Sequence, residues 1–190
     1  FGDGKLEVEE DRGNLRLKTE SRDGKINGIS AEDFPLVPKV KKTATFSIGA
    51  PIIAQNIARV LPAVSGSEFK PELAGVFMRF GGDTITLAAT DTFRLAECVL
   101  PLTPPNTSGD PVSCIIPERT AQEITRILDH DTENAVISLG ENQLLVEVTE
   151  GKIVSRLIEG NFPDYRPIIP THFTTSAYIK KNELVAGIRS

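Results

Sequence analysis

The side chains able to do chemistry in this sequence are few. Cys98 and Cys114 are its two cysteines and His130 and His172 its two histidines, and their separations provide none of the ligand spacing a zinc site needs. Both cysteines sit in apolar, strand-like runs, the setting of buried reduced thiols. No nucleophile, base and orienting group stand at spacings that suggest catalysis, and there is no glycine-rich phosphate loop. The sequence therefore predicts no catalytic residue, no metal and no cofactor. Its chemistry is that of recognition. Within Leu73 to Leu102, the turn-like segment Ala89-Thr90-Asp91-Thr92-Phe93-Arg94-Leu95 places an arginine directly before a leucine, between two apolar runs. The guanidinium can donate to carbonyls or a carboxylate, and the leucine offers apolar area to a partner's anchor. A second set is cationic. No acidic residue occurs from Lys39 to Ser67, while Lys39, Lys41, Lys42 and Arg59 lie there, in a chain whose net charge is −5.

The elements that must position these groups follow from period and punctuation. Lys5 to Glu9 and Asn14 to Lys18 alternate polar with apolar, as half-buried strands do, with a turn at Asp11-Arg12-Gly13, and a further strand from Lys25 to Ile29 follows Arg22-Asp23-Gly24. Prolines at 35 and 38 then exclude both helix and central strand and mark a boundary. A strand from Thr43 to Ser47 leads into a helix from about Ala50 to Val64, announced by Pro51, with Pro62 set to end or kink it early. Its buried stripe is Ile53, Ile57, Val60 and Leu61, leaving Gln55, Asn56 and Arg59 on the other side. A loop at 65–71 follows. Val76, Met78 and Phe80 then share one strand face, Gly81-Gly82-Asp83 is expected to reverse the chain, and Ile85, Leu87 and Ala89 share a face on the return. A third strand runs from Arg94 to Leu100, and the proline-rich stretch from Pro101 to Pro111 reads as a surface connection.

After a buried strand at Ser113 to Ile116, a second helix from Pro117 to Leu128 buries Ala121, Ile124 and Leu128 and presents Arg119, Gln122 and Arg126 on another face. Glu123 neighbours both arginines and pairs part of that charge within the helix. Strands at Ala135 to Leu139, Gln143 to Thr149 and Lys152 to Ile158 close the unit. With 39% hydrophobic and 25% charged residues the composition is ordinary globular material. No apolar run approaches the roughly 18 to 20 residues that span a bilayer, and no secretion signal is present, so a cytoplasmic protein is expected. The start at Phe1, without an initiator methionine, reads as the interior of a longer protein.

The chain repeats itself. Asp33-Phe34-Pro35 and Asn161-Phe162-Pro163 stand 128 residues apart, each preceded by a hairpin and a Gly-Lys-Ile strand opening, at Gly24 and at Gly151. Downstream, Thr45-Phe46 before the first helix matches Ala177-Tyr178 before Leu184 to Arg189. A period this long indicates tandem domains, not a solenoid. Each unit has two helices and about eight strands, an α+β architecture.

Three segments, LAGVFMRFGGDTITLAATDTFRLA, IIPERTAQEITRIL and VSRLIEGNFPDYRPIIP, in this order and spacing, resemble the bacterial DNA polymerase III beta subunit, the sliding-clamp family. The resemblance covers essentially the whole chain. It implies tandem clamp domains, each with two helices packed on antiparallel sheets: residues 1–39 as the end of a first domain, 40–170 as a complete second and 171–190 as the start of a third. It further implies a head-to-tail homodimer closed around double-stranded DNA without regard to sequence, which tethers the replicative polymerase, has no catalytic residues of its own, works in the bacterial cytoplasm at the nucleoid and touches no membrane. Short linear motifs of the polymerase, the clamp loader and repair proteins would enter a pocket lined by Leu73, Thr90, Thr92, Phe93, Arg94, Leu95, Pro163 and Ile168. Arg59, Ser67, Lys70, Arg119 and Arg126 would face DNA through phosphates alone. Thr92-Phe93 departs from the Gly-His common in the family, and Pro167 from a position that is often basic. A strand leucine is ordinarily core, but parity puts Ala96, Cys98 and Leu100 on one face and leaves Leu95 with Glu97. The competing reading is an α+β adaptor that binds peptides and never encircles DNA. A mainly negative charge around the two helices would favour it.

Overall fold

The computed structural model describes residues 5–34, 39–67, 69–106, 110–128, 134–149 and 151–190. Pro35, Pro38 and His130 lie outside this set. By internal packing the chain separates into two units, Phe1–Val40 and Lys41–Ser190.

The first unit is an antiparallel meander of β1 (Glu7–Asp11), β2 (Asn14–Lys18) and β3 (Asp23–Ile26). Arg12 and Gly13 take positive φ (50° and 80°) between β1 and β2, which gives the two-residue hairpin turn whose twist suits paired strands. The third strand begins two residues earlier than the expected Lys25 and ends at Ile26, three residues short of the expected Ile29. Lys18 pairs with Asp23 and the Thr19 amide donates to the Arg22 carbonyl at 2.8 Å, so the reversal is tight and Gly24 falls inside the strand.

In the second unit, β4 (Ala44–Gly49) runs straight into α1 (Ala50–Val60), with Pro51 in the first turn, where its missing N–H costs no helical bond. Pro62 cannot continue the α-helical ladder, and the chain tightens into a 3-10 turn at Leu61–Ala63. Ile53, Ala54, Ile57 and Val60 are fully buried. Asn56, expected on the solvent side, is buried as well. It lies three residues beyond Ile53 and four before Val60, hence on their face, and its amide donates to the Ile52 carbonyl (2.8 Å) while its oxygen accepts from Arg59 (2.9 Å).

The expected hairpin at Gly81-Gly82-Asp83 does not form. One strand, β5 (Gly75–Thr90), continues through it, pairing β7 (Val112–Pro117) along its first half and β6 (Leu95–Asn106) along its second. The inward set changes from even to odd numbers, Val76, Met78 and Phe80 giving way to Ile85, Leu87 and Ala89, all buried. The change of parity coincides with a register shift between Gly82 and Thr84, where β5 advances two residues against five of β6 and Gly82 takes φ 61°. The strand β6 also outruns its expected end and passes through Pro101, which pairs with Thr84. Order β6-β5-β7 makes β6 an edge strand, where a proline's missing donor faces no neighbour.

Helix α2 (Glu118–Leu128) follows β7, and β8 (Asn134–Leu139), β9 (Gln143–Val148) and β10 (Gly151–Arg156) form a second meander that β4 extends into the sheet β10-β9-β8-β4. The helices α1 and α2 pack on each other and on β5. Ile53, Ile57, Ile124 and Leu128 share one core with Ile137, Leu144 and Val146. Each such side chain contributes about 1.5 to 3 kcal/mol through removal of its surface from water. Phe46 of β4 stacks on Phe80 of β5 with ring centroids 3.9 Å apart, joining the two sheets through the core. Beyond β10, the Ile158 amide donates to the Ile115 carbonyl (2.9 Å), so the chain crosses to the free edge of β7 before a 3-10 turn at Arg166–Ile168. The last helix, α3 (Lys181–Arg189), buries no residue. This is the expected α+β architecture of two helices on antiparallel sheets. Among the described residues no helix is long and apolar enough to cross a membrane.

Candidate functional site

The turn between β5 and β6 is held by its own polar side chains. Thr90 is buried, and its hydroxyl donates to the Arg94 carbonyl (2.7 Å) while accepting from the Thr92 amide (3.1 Å). One Asp91 carboxylate oxygen accepts from the amides of Phe93 (3.0 Å) and Arg94 (2.6 Å), and the other takes the Arg94 guanidinium through Nε (2.9 Å) and Nη2 (2.8 Å). The Arg94 amide and guanidinium together hold the Asp91 carboxyl down to about 2. The loop is consequently over-determined, and it keeps Thr92 at φ 77°. That conformation is costly for a β-branched residue and natural for glycine.

Directly after this turn, the parity of β6 turns Ala96 and Cys98 toward the core and leaves Leu95 and Glu97 on the opposite face. There they line a cavity of about 360 Å³ together with Ile168, Ile169 and Pro170, brought in by the 3-10 turn that follows Tyr165. Ile168 is 68% exposed, an uncovered aliphatic wall. Tyr165 is buried and its hydroxyl donates to a Glu97 oxygen at 2.5 Å, tying the two walls together across 68 residues of sequence. Burial first, and the Glu97 carboxylate second, push the Tyr165 phenol well above its ordinary range, so it remains a donor. Behind it the Phe162 ring stands edge-on to Tyr165 (6.1 Å) and stacks on Phe77 (4.9 Å).

Of the eight residues expected at this site, the structure brings Leu95 and Ile168 together as facing walls of one cavity. Leu73 is 3% exposed, in the 3-10 turn Pro71–Leu73, and is not part of the lining. Thr90 serves the turn from within. Thr92, Phe93 (95% exposed) and Arg94 stand at the turn's surface, and Pro163 is exposed without lining the cavity. The Arg94 guanidinium, expected to be available to a partner, already spends two donors on Asp91. Glu97, Ile169 and Pro170 line the cavity without having been expected. The parity that sets Glu97 beside Leu95, and the apolar run Ile168-Ile169-Pro170, are the signals that could have located them. A second cavity of about 480 Å³ lies between Phe77, Arg79, Glu141 and Phe162, crossed by the Ile158 to Ile115 backbone bond. Its wall is largely strand edge and linker that bond each other, whereas the smaller cavity is walled by exposed aliphatic side chains, the surface a partner's anchor needs.

The helix face carries the cations. Arg59, Arg119 and Arg126 are exposed. Arg126 pairs with Glu123 on its own helix at 2.9 Å, Arg59 donates to Asn56, and Arg119 has no ion-pair partner among the described residues. Over α1 and α2 three arginines stand against two glutamates, Glu118 and Glu123. The two helices together therefore carry a small positive excess and are not mainly negative. Ser67 accepts from the Phe69 amide (3.3 Å) in the loop after α1, and Lys70 is exposed beside it. Burial pushes the Cys114 thiol up to about 12, which makes it a poor nucleophile.

Known proteins share this architecture. Residues 48–164 match the family model for the DNA polymerase III beta subunit, central domain. A beta sliding clamp of Helicobacter pylori (strain J99) is 30% identical over 186 residues, 97% of this chain and 48% of that protein. The crystal structure of the Helicobacter pylori beta clamp bound to a DNA ligase peptide superposes with a TM-score of 0.85 at 26% identity, over 100% of this chain and 53% of that one. The Pseudomonas aeruginosa sliding clamp bound to griselimycin gives 0.80 at 26% identity, over 88% and 45%. The chain thus spans about half the length of the relatives it matches. On the family match, the chain belongs to the DNA polymerase III beta subunit family.

Proposed function

We propose that this chain is the central part of a sliding clamp, with residues 1–39 closing a first clamp domain, 40–170 forming the second and 171–190 opening a third. The whole protein would then form a head-to-tail homodimer around double-stranded DNA in the bacterial cytoplasm. It would raise processivity by tethering the replicative polymerase, while nucleotidyl transfer resides in that partner. The pocket residues would be Leu95 and Ile168 as its walls, with Thr92, Phe93, Arg94 and Pro163 at the surface around them and Leu73 and Thr90 as buried support. Arg59, Ser67, Lys70, Arg119 and Arg126 would meet phosphates. The observation that carries this reading is the cavity in which β6 and the turn after Tyr165 present half-buried Leu95 and exposed Ile168 together, on a family member whose structural relative holds a peptide. An aliphatic or aromatic anchor buried there is the kind of contact that dominates binding energy. The small positive excess over the two helices supports the clamp over the non-encircling adaptor. A short acetylated peptide carrying a Leu-Phe pair, added to the isotope-labelled chain, should shift amide resonances of residues 90–97 and 165–170. Shifts confined to other regions, or none at saturating peptide, would remove the assignment.

A further inference from the structure

The cavity lining is not uniformly apolar. Four of its five residues, Leu95, Ile168, Ile169 and Pro170, are aliphatic, and the fifth is a carboxylate, Glu97. Among the described residues, its hydrogen-bond partner is the Tyr165 hydroxyl and no ion pair holds it. Three arginines lie nearby, and none pairs with Glu97 among the described residues. Arg94 is engaged by Asp91, while Arg79 and Arg166 lie near enough to act electrostatically on the Tyr165 hydroxyl without pairing with Glu97. A carboxylate has about four acceptor positions, and a neutral phenol occupies one of them, leaving the charge in place. Tyr165 is itself fixed, buried and braced edge-on by Phe162, which stacks on Phe77. Glu97 is thereby held at the rim of an apolar pocket before any ligand arrives, so orienting it costs little on binding.

We infer that Glu97, positioned by Tyr165, is a specificity-determining residue of this pocket: it selects peptide segments with a lysine or arginine beside the apolar anchor and rejects segments with an acid there. The inference rests on the peptide-pocket reading above. A fixed charge at the edge of an apolar site discriminates mainly through whom it repels, and the discrimination weakens as salt screens it.

Three acetylated peptides with the same Leu-Phe pair, flanked by lysine, glutamine or glutamate, separate the possibilities in a fluorescence-anisotropy titration. The wild-type chain should bind the lysine peptide about tenfold more tightly than the glutamate peptide at low salt, with the ratio shrinking at high salt. Glu97→Gln, which keeps an acceptor for Tyr165, should bring that ratio to within about twofold. Tyr165→Phe, which leaves the charge and releases it, should give an intermediate ratio, a change that a merely structural role for the ring would not produce. If the glutamine peptide binds the wild type but lysine and glutamate peptides bind equally, the inference is overturned and the pocket stands. If none of the three binds, the pocket reading fails and this inference with it.

Discussion

At the pocket, the walls are tied by bonds that stay inside the protein: Asp91 gathers the Phe93 and Arg94 amides and the Arg94 guanidinium, and Tyr165 reaches Glu97 from the opposite wall. On the helix face, Arg119 has no ion-pair partner among the described residues, and Arg126 and Arg59 lean on neighbours of their own helices. The first surface fixes its geometry before a ligand arrives, and the second leaves its charges loose at the ends of long side chains. A surface that must recognise one segment needs the former. A surface that must touch a regular polyanion and move along it is better served by the latter, since exposed charges act through screened, non-directional attraction.

Substitutions should separate the two surfaces, and the largest effect belongs to the pocket. Ile168→Asp places a charge where an anchor would bury, and we expect it to weaken the Leu-Phe peptide by roughly 3 kcal/mol or more, read by titration, while binding of duplex DNA by the complete ring proposed above is unaffected. Loss of DNA binding in that variant would break the distinction. Replacement of Arg119 and Arg126 by glutamine in the complete ring should do the converse, leaving the peptide affinity alone, lowering DNA retention by about tenfold at low salt and reducing the salt slope by about 1 for each phosphate no longer neutralised. An unchanged slope would mean that this face does not meet DNA.

Smaller effects probe the rigidity of the turn. Thr92→Gly relieves the positive φ at 77° and should stabilise the folded chain by about 1 kcal/mol in denaturant unfolding. A destabilised variant would show that the threonine methyl is worth more than its strain. The Asp91 contribution depends on pH with a definite sign. Its folded carboxyl lies near 2 against an ordinary 3.8, so the stabilisation is present above about 3.8 and is lost as pH falls toward 2. The stability difference between wild type and Asp91→Asn should therefore be seen at pH 5 and close by pH 2. A difference constant across that range would assign it to something other than this ionisation.

Much of this was legible in the residues. The stripe of Ile53, Ile57 and Val60 and that of Ala121, Ile124 and Leu128 locate both helices, and the alternation in residues 135–156 locates the meander β8 to β10. Where pattern failed, tertiary pairing had overridden it. Gly81-Gly82-Asp83 has the composition of a hairpin turn, and only the shift of buried positions from even to odd indicates a bulge within one strand. Pro101 reads as a strand end unless β6 is known to lie at an edge. The same alternation also buries differently in different surroundings: Val8 and Ile26 of the first meander are more than half exposed, while Ile137 and Leu144 of the second lie beneath the helices. Glu97 and Tyr165 were invisible as a pair because nothing local announces a hydrogen bond across 68 residues.

Leu95 offers the most direct test. A titration of the Leu-Phe peptide against the wild-type chain and Leu95→Ala, with circular dichroism confirming that the variant is folded, should show affinity reduced by about 1 to 3 kcal/mol. Equal affinity in the folded variant would contradict the claim that this cavity is where the protein receives its partners.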